Sequence, residues 1–332
     1  MITHLKNYLN VRYSTRNLSD EEFEAIVETL AEELENVSFI PQYTNAQLYK
    51  DWVDLKKWKT TDDFINSTNR VGMKLCEHFF PNFYDIADNK GNSFNTMWKK
   101  DNLIKILRWN RKSHSTPYLS ELKRGIYFCC GMTKSTMYRP QMMKMICDYY
   151  SPNIVLDPCM GWGGRMLGAV ASGAHYIGFD PNTETYNNLQ KMAKFLDIEN
   201  KVTLIYDDAM NMDKHNLPNV DLVLTSPPYF DLEVYTNETT QSIHNHSNYR
   251  AWSDFFLKGI IQKSACLLNV GGVSCWNVGK VGKNDMFVDV ENYQNEIGYK
   301  QVKEFTVVSS KRQSLQKTND NKSADYTVVY KI

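Results

Sequence analysis

Four stretches of the chain hold residues whose types and spacing can do chemistry. The first is Asp157-Pro158-Cys159-Met160-Gly161-Trp162-Gly163-Gly164-Arg165. Its glycines permit a tight turn and a close backbone approach to a ligand. A helix start just after them can receive a carboxylate. This is not a dinucleotide fingerprint, because the third glycine of G-x-G-x-x-G would fall on Met166. The leading acid, Asp157, suits an ammonium group better than a pyrophosphate. The second stretch is Asp180, at the next expected strand end, where an acid can accept both hydroxyls of a ribose. The third is Asp207-Asp208-Ala209, with Asp208, or Asp207 in the neighbouring register, placed to accept from an exocyclic amine. The fourth is Ser226-Pro227-Pro228-Tyr229. Its two prolines fix their own φ angles and remove two N–H donors, which leaves the Ser226 hydroxyl and the Pro227 carbonyl as acceptors on a rigid corner. Tyr229 adds a flat face for stacking. Taken singly, each acid also reads as a turn or helix cap, and the proline pair as a simple turn. Their order at successive strand ends favours S-adenosylmethionine as the cofactor and an amino group on a planar ring as the substrate.

Asp157-Pro158-x-x-Gly161-x-Gly163 and Ser226-Pro227-Pro228-Tyr229, in this order, resemble motifs I and IV of the DNA amino-methyltransferases. That family methylates adenine N6 or cytosine N4. Tyr138-Arg139-Pro140 is similar to the family's motif X, usually written with Lys-Pro. The resemblance covers residues 126–332. It implies a Rossmann-like class I methyltransferase sheet, doubly wound and mostly parallel, with an antiparallel last strand. It implies that Arg139, Pro140, Asp157, Pro158, Cys159, Gly161 and Gly163 surround the methionine part of the cofactor, that Asp180 takes the ribose, and that Asp208, or Asp207 in the alternative register, lies with Ala209 near the adenine. Methyl transfer is implied at Ser226, Pro227, Pro228 and Tyr229, with adenine N6 preferred over cytosine N4. The target base would be flipped out of duplex DNA and clamped by Tyr229 with Phe230 or Tyr235. Cys159 stands where the family more often has Phe, and Trp162 is placed to take over part of that packing. A cysteine nucleophile is not expected, since Cys159 belongs to the cofactor loop and the corner holds none. The same amino-methylation on RNA or free nucleotides is the alternative. Two other classes stay open: a nicotinamide-dependent oxidoreductase on a similar sheet, and a non-catalytic nucleic-acid-binding protein.

The elements that must position these residues follow from hydrophobic periodicity. Apolar runs at 154–156, 176–179, 202–206 and 221–225 each lead into one of the four stretches, and helical spacing fills 164–172 and 183–196. A helix over 252–268 and strands over 272–278, 304–309 and 326–331 complete the series. Alternating strands and helices predict an α/β, doubly wound, mostly parallel sheet, whose ligands lie outside the carboxyl ends of its strands. Pro140 opens a further helix. Upstream, Ser19 and Glu22 form a capping box for a helix over 20–36 that is apolar on one face and acidic on the other. Residues 40–125 read as short helices with long connections. The expected organisation is an N-terminal mainly helical domain, 1–125, and a catalytic domain, 126–332. The sheet consumes most of the chain after the corner. Target recognition is therefore assigned to the N-terminal domain, helped by residues 231–248 and 310–324.

The 332 residues carry 38 basic and 38 acidic side chains, a net charge of zero. The zero is a sum of unlike regions. Residues 1–49 hold 3 basic and 8 acidic residues, and residues 50–150 hold 18 basic and 10 acidic. Lys99, Lys100, Arg108, Arg111, Lys112 and Arg124 interleave with aromatics such as Trp98, Trp109 and Tyr118. Such a track suits a phosphate backbone and unstacked bases, which makes DNA the expected partner. A solvated basic face is the plainer reading. Composition, at 42% hydrophobic and 23% charged, excludes a mainly disordered chain. No apolar run reaches the ~20 residues of a membrane span, and the first residues lack the core of a signal peptide. Seven cysteines without C-x-x-C spacing suggest neither a zinc site nor a disulfide framework. A cytoplasmic enzyme with no metal and no membrane partner is expected. His244-x-His246 has metal-binding spacing but no third ligand, so a polar loop near the substrate is the expectation there.

Overall fold

The computed structural model describes residues 5, 8–9, 18–59, 65–66, 69–308 and 326–332; residues 310–324, expected to help recognition, lie outside these. The chain divides into two compact units. One comprises residues 1–42, 81–136 and 232–235, the other residues 43–80, 137–231 and 236–332. The division does not run through one boundary near residue 125. Residues 43–80 go with the sheet, while 81–136 and 232–235 go with the helices.

The first unit is built on three helices: α1, Asp20–Glu35, α2, Lys100–Lys112, and α3, Leu119–Cys129. The capping box at the start of α1 is formed, with Glu22 N donating to Ser19 Oγ and Ser19 N donating to Glu22 Oε2. This satisfies two of the donors that a helix start leaves open. Phe23, Val27 and Leu30 of α1 pack with Leu103 and Ile106 of α2 and Ile126 of α3 in one buried cluster. Helices α2 and α3 approach closely at Gly125, where a Cβ would sit 2.7 Å from Ile106 Cγ2. Trp98 is buried in this core and donates its ring N–H to Leu34 O at 3.2 Å. A two-residue antiparallel ladder pairs Ala87–Asp88 with Glu233–Val234.

The second unit is a sheet with helices on it. Its strands are β1, Ile65–Asn66, β2, Ile154–Asp157, β3, His175–Phe179, β4, Val202–Ile205, β5, Val220–Thr225, β6, Leu268–Val278, β7, Lys300–Val308, and β8, Tyr326–Lys331. Their order across the sheet is β4-β3-β2-β5-β6-β8-β7-β1. All neighbours run parallel except β8, which is antiparallel to both β6 and β7. This is the doubly wound, Rossmann-like class I sheet, with its antiparallel last strand, that the sequence predicts. Elements that escape that prediction include β1, parallel to β7 at the edge, a helix over Met286–Glu296, and a short antiparallel pair at Lys280–Val281 and Asn284–Asp285. Strands β2 and β5 are buried along nearly their whole length, as continuous apolar runs in the middle of a parallel sheet must be. The strand order reverses between β2 and β5, and that switch point is where an open α/β sheet offers a crevice at its carboxyl edge.

Helix α4, Pro140–Tyr150, starts with proline at its first turn and packs on α5, Gly164–Ala171. The approach is close enough that a Cβ on Gly164 would lie 1.9 Å from Tyr138 O. Helix α6, Thr183–Phe195, is capped by Asn182, whose side chain accepts from Thr185 N. The helix expected over 252–268 instead begins at Tyr249–Trp252, passes through a π-helical turn at Ser253–Leu257 and continues over Lys258–Leu267. Among the described residues, no helix is long and apolar enough to cross a membrane.

Candidate active site

The loop after β2 turns on Gly161 and Gly163, whose φ angles of 51° and 74° fall in the left-handed region that favours glycine. Gly163 caps α5, so the open N–H groups of that helix face the loop. The loop is tied to β3 twice. Met160 N donates to Phe179 O at 2.9 Å, and Gly161 N donates to Asp180 Oδ2 at 3.0 Å.

Asp157 has a different role from the ammonium contact expected of it. It is fully buried, and each of its oxygens is used twice. Oδ1 accepts from Thr225 Oγ1 at 2.7 Å and from Cys159 N at 3.2 Å. Oδ2 accepts from Arg165 Nε at 2.6 Å and from Tyr176 Oη at 2.7 Å. Arg165 also donates to Cys159 O and lies 5.1 Å above the Tyr138 ring. A buried carboxylate is stable only when paired and hydrogen-bonded. Asp157 meets that demand internally and so locks β2, β3, β5 and α5 to the loop. Burial pushes the Cys159 thiol well above its ordinary pKa, which keeps it protonated. Pro158 is buried beneath the loop. Arg139 precedes Pro140 at the start of α4 and donates to Asn69 O at 2.8 Å.

Asp180 ends β3. Its Oδ1 accepts from Asn182 N and its Oδ2 from Gly161 N, both at 3.0 Å, which leaves each oxygen a further lone pair. Burial raises its carboxyl to about 6 against the opposition of those two N–H groups. Asp207 and Asp208 follow β4 and divide in role. Asp207 lines the cleft beside the pair but is bonded within its own turn: Oδ1 accepts from Asn211 Nδ2 at 2.8 Å and Oδ2 meets His215 Nε2 at 2.9 Å. Against the pull of burial, those bonds hold its carboxyl below the usual range. Asp208 caps the short helical turn Ala209–Lys214, its Oδ1 accepting from Met210 N. Its Oδ2 has no partner among the described residues, and burial raises the carboxyl. Ala209 is buried under the turn. Beside them opens a cleft of about 280 Å³ bounded in part by Pro181, Tyr206, Asp208 and Asn211. It is small against the ~300–1,000 Å³ of a whole small-molecule site, and its size suits one ring system.

Ser226 follows β5, next to the loop after β2, since Val155 and Leu156 register with Leu222 and Val223. Its Oγ accepts from Asn277 Nδ2 at 3.3 Å, and Asn277 Oδ1 accepts from Thr327 Oγ1 at 3.1 Å. Asn277, near the end of β6, is a partner of the corner that the sequence reading missed. Its only signal there was a polar side chain late in an apolar strand. Pro227 is buried, while Pro228 and Tyr229 are half-buried. The corner closes on Phe230 at a φ of 47°, a strained conformation for an aromatic residue. The Phe230 ring is held 5.8 Å from Trp252 and 6.0 Å from Tyr249, so it braces the corner from within the unit. Tyr235, named with it as a base clamp, belongs to the helical unit, where its hydroxyl donates to Glu233.

The basic track is largely ion-paired in the folded helical unit. Helix α1 supplies its counter-charges. Lys99 pairs with Glu35 at 3.1 Å, Lys100 with Glu32 at 2.7 Å, Arg108 with Glu24 at 2.6 Å and Arg111 with Asp20 at 2.8 Å. Arg124 pairs with Glu121 at 2.7 Å on its own helix. Lys112 alone of the six makes no ion pair among the described residues.

Comparison with known proteins bears on this site. The model of a family described as RNA cap guanine-N2 methyltransferase matches residues 152–268, a stretch that runs from β2 to the start of β6 and takes in the loop, the strand-end acids and the corner. A curated relative, the release factor glutamine methyltransferase of Clostridium botulinum, is 24% identical over 155 residues, covering 45% of this chain and 53% of that protein. The chain thus spans about half the length of the relative it matches. Among solved structures, an rRNA methylase from Streptococcus thermophilus is 16% identical at a TM-score of 0.38, covering 59% of this chain and 98% of that one. Magnesium protoporphyrin IX methyltransferase from Synechocystis is 10% identical at a TM-score of 0.39, covering 58% and 79%. The resemblance to DNA amino-methyltransferases is overturned: the matching family model describes an RNA methyltransferase, and the curated relative is a glutamine methyltransferase. Both matches are to methyltransferases, and S-adenosylmethionine is the cofactor. The residues present fit it: Asp180 keeps a lone pair open on each oxygen after β3, Asp208 lines a ring-sized cleft, and α5 starts beside a glycine turn.

Proposed function

We propose that the chain transfers the methyl group of S-adenosylmethionine to an exocyclic amino nitrogen of an RNA base. The observation that carries the reading is the Ser226-Pro227-Pro228-Tyr229 corner, whose hydroxyl is oriented by Asn277 and which lies one strand from the glycine loop. Its support among known proteins is the match to the RNA cap guanine-N2 methyltransferase model over the residues that build the site. An amino group on a ring donates its lone pair into the ring and is a poor nucleophile. Acceptors at Ser226 Oγ and Pro227 O draw its two hydrogens away from the ring plane and return the lone pair to the nitrogen. Preorganised acceptors aimed at a nitrogen that becomes positive stabilise the transition state more than the ground state. Bound S-adenosylmethionine supplies an electrophilic methyl carbon on a sulfonium centre. Tyr229 offers a face on which the base can stack. The nitrogen loses one proton as it gains the methyl group, and the Ser226 and Pro227 oxygens stand where that proton departs towards solvent.

A glutamine amide nitrogen in a protein is the second reading, favoured by the curated relative. It presents the same problem, a planar NH₂ whose lone pair is delocalised. Labelled methyl transfer to total RNA, to a protein extract and to duplex DNA, followed by mass spectrometry of nucleosides and of hydrolysed peptides, tests the proposal. A methylated amino nucleoside from RNA is expected. Label on glutamine alone would replace the first reading with the second, and label on DNA alone would overturn both.

A further inference from the structure

Residues 236–245 lie within 231–248, the stretch expected to help the N-terminal domain in target recognition, yet Thr240 and Asn245 among them line the cleft beside Asp208. Thr240 and Asn245 share its lining with Pro181, Tyr206, Asn211 and both carboxylates, Asp207 and Asp208. The segment is held there at two points. Glu238 Oε2 accepts from Thr183 N and from Thr183 Oγ1, both at 3.3 Å. Thr183 is the first residue of α6, where open N–H groups favour a carboxylate. The Thr183 hydroxyl also bonds the Tyr206 hydroxyl at 2.7 Å, and Thr240 Oγ1 donates to the same Glu238 oxygen at 3.4 Å. Further along, Ser242 Oγ accepts from the ring N–H of the fully buried Trp252 at 3.0 Å. Between these anchors the backbone turns on itself, with Gln241 N donating to Glu238 O and Thr236 N donating to Gln241 Oε1.

We propose that residues 236–245 are a strap that completes the adenine end of the cofactor site, and that Glu238, through Thr183, positions it. A purine presents two apolar faces and an edge of donors and acceptors. Pro181 and the half-exposed Tyr206 ring offer the faces. Asp208 Oδ2 can accept from the amino group, and Thr240 and Asn245 bring a hydroxyl and an amide to the ring nitrogens. The proposal rests on the reading of the chain as S-adenosylmethionine-dependent, and its test separates the two.

Affinities for S-adenosylhomocysteine and for 5′-methylthioadenosine, which lacks the amino-acid part, are measured by calorimetry on the full chain. Thr240→Val, Asn245→Ala and Glu238→Gln are expected to weaken both ligands by the same factor, about five- to tenfold each for a lost hydrogen bond. The melting temperature of ligand-free Asn245→Ala should stay at the wild-type value, while Glu238→Gln and Thr240→Val, which loosen the anchor at the start of α6, should lower it slightly. Unchanged affinity in the variants, or a loss confined to S-adenosylhomocysteine, overturns the strap while leaving the cofactor reading in place. A wild-type chain that binds neither ligand overturns the cofactor reading itself.

Discussion

Ser226 does not hold its hydroxyl alone. The Asn277 amide takes one lone pair, and on the proposed reading the other is left for a substrate N–H. Asn277→Ala should therefore lower kcat by about tenfold while leaving S-adenosylhomocysteine affinity unchanged, and calorimetry beside turnover measures the split. Asn277→Asp should behave alike, because a carboxylate cannot donate to Ser226. A second expectation concerns pH. Burial raises the Asp180 carboxyl to about 6, and its ionised form is the one suited to accept ribose hydroxyls. Cofactor affinity should fall as pH drops through about 6, and Asp180→Asn should flatten that dependence; titration calorimetry across pH 5 to 8 reads both. The stability term has the opposite sense. A carboxyl raised above its unfolded value costs stability above pH 6, and the cost disappears as pH falls through 6 towards the unfolded value.

The loop and α5 work as one element because Gly164 lets α4 approach. A Cβ there would meet Tyr138 O at 1.9 Å, backbone against side chain. Gly164→Ala should destabilise by roughly 1–3 kcal/mol, the usual cost of overpacking, read as a lower denaturant midpoint with an unchanged slope. This level of organisation was largely legible in the sequence. The strands ending at Asp157, Phe179 and Thr225 show as short apolar runs, each running into a polar stretch, and buried parallel strands demand that pattern. Asp157's true role was not legible. Its partners, Tyr176, Arg165 and Thr225, come from three different elements, and only packing brings them onto one carboxylate. Strand β1 was equally hidden, since two residues carry no periodicity.

At the scale of the whole molecule, the zero net charge conceals a local cancellation. The acids of α1 and the bases of α2 lie far apart in sequence and side by side in the fold. Segment sums along the chain cannot show which helix packs on which, so the excess at 50–150 looked like an open cationic face. Exposed pairs of this kind contribute little each, but they occupy the cations. Replacing Lys99, Lys100, Arg108, Arg111 and Arg124 with Gln should change the salt slope of RNA binding by less than about 1, where five lost phosphate contacts would change it by about 3.5. Binding measured across a range of salt concentrations decides between them. Arg111 is the exception for stability. It is only 16% exposed, donates to Leu18 O and covers the Phe23 ring, so Arg111→Ala should lower the melting temperature of the helical unit.

The interleaving of the two units has a consequence for how the chain is made. Strand β1 emerges early from the ribosome, yet its partner β7 comes more than two hundred residues later, with Ile65 opposite Val307. Residues 87–88 likewise wait for 233–234. The last strand pair of each unit therefore forms only after residues of the other unit have been made. A piece beginning at residue 126 would lack β1 and the helices over Asn45–Lys57 and Met73–Phe79. Such long waits slow folding and leave strand edges exposed during synthesis. The usual shortcut of producing the sheet by itself should yield aggregate where the whole chain yields soluble protein.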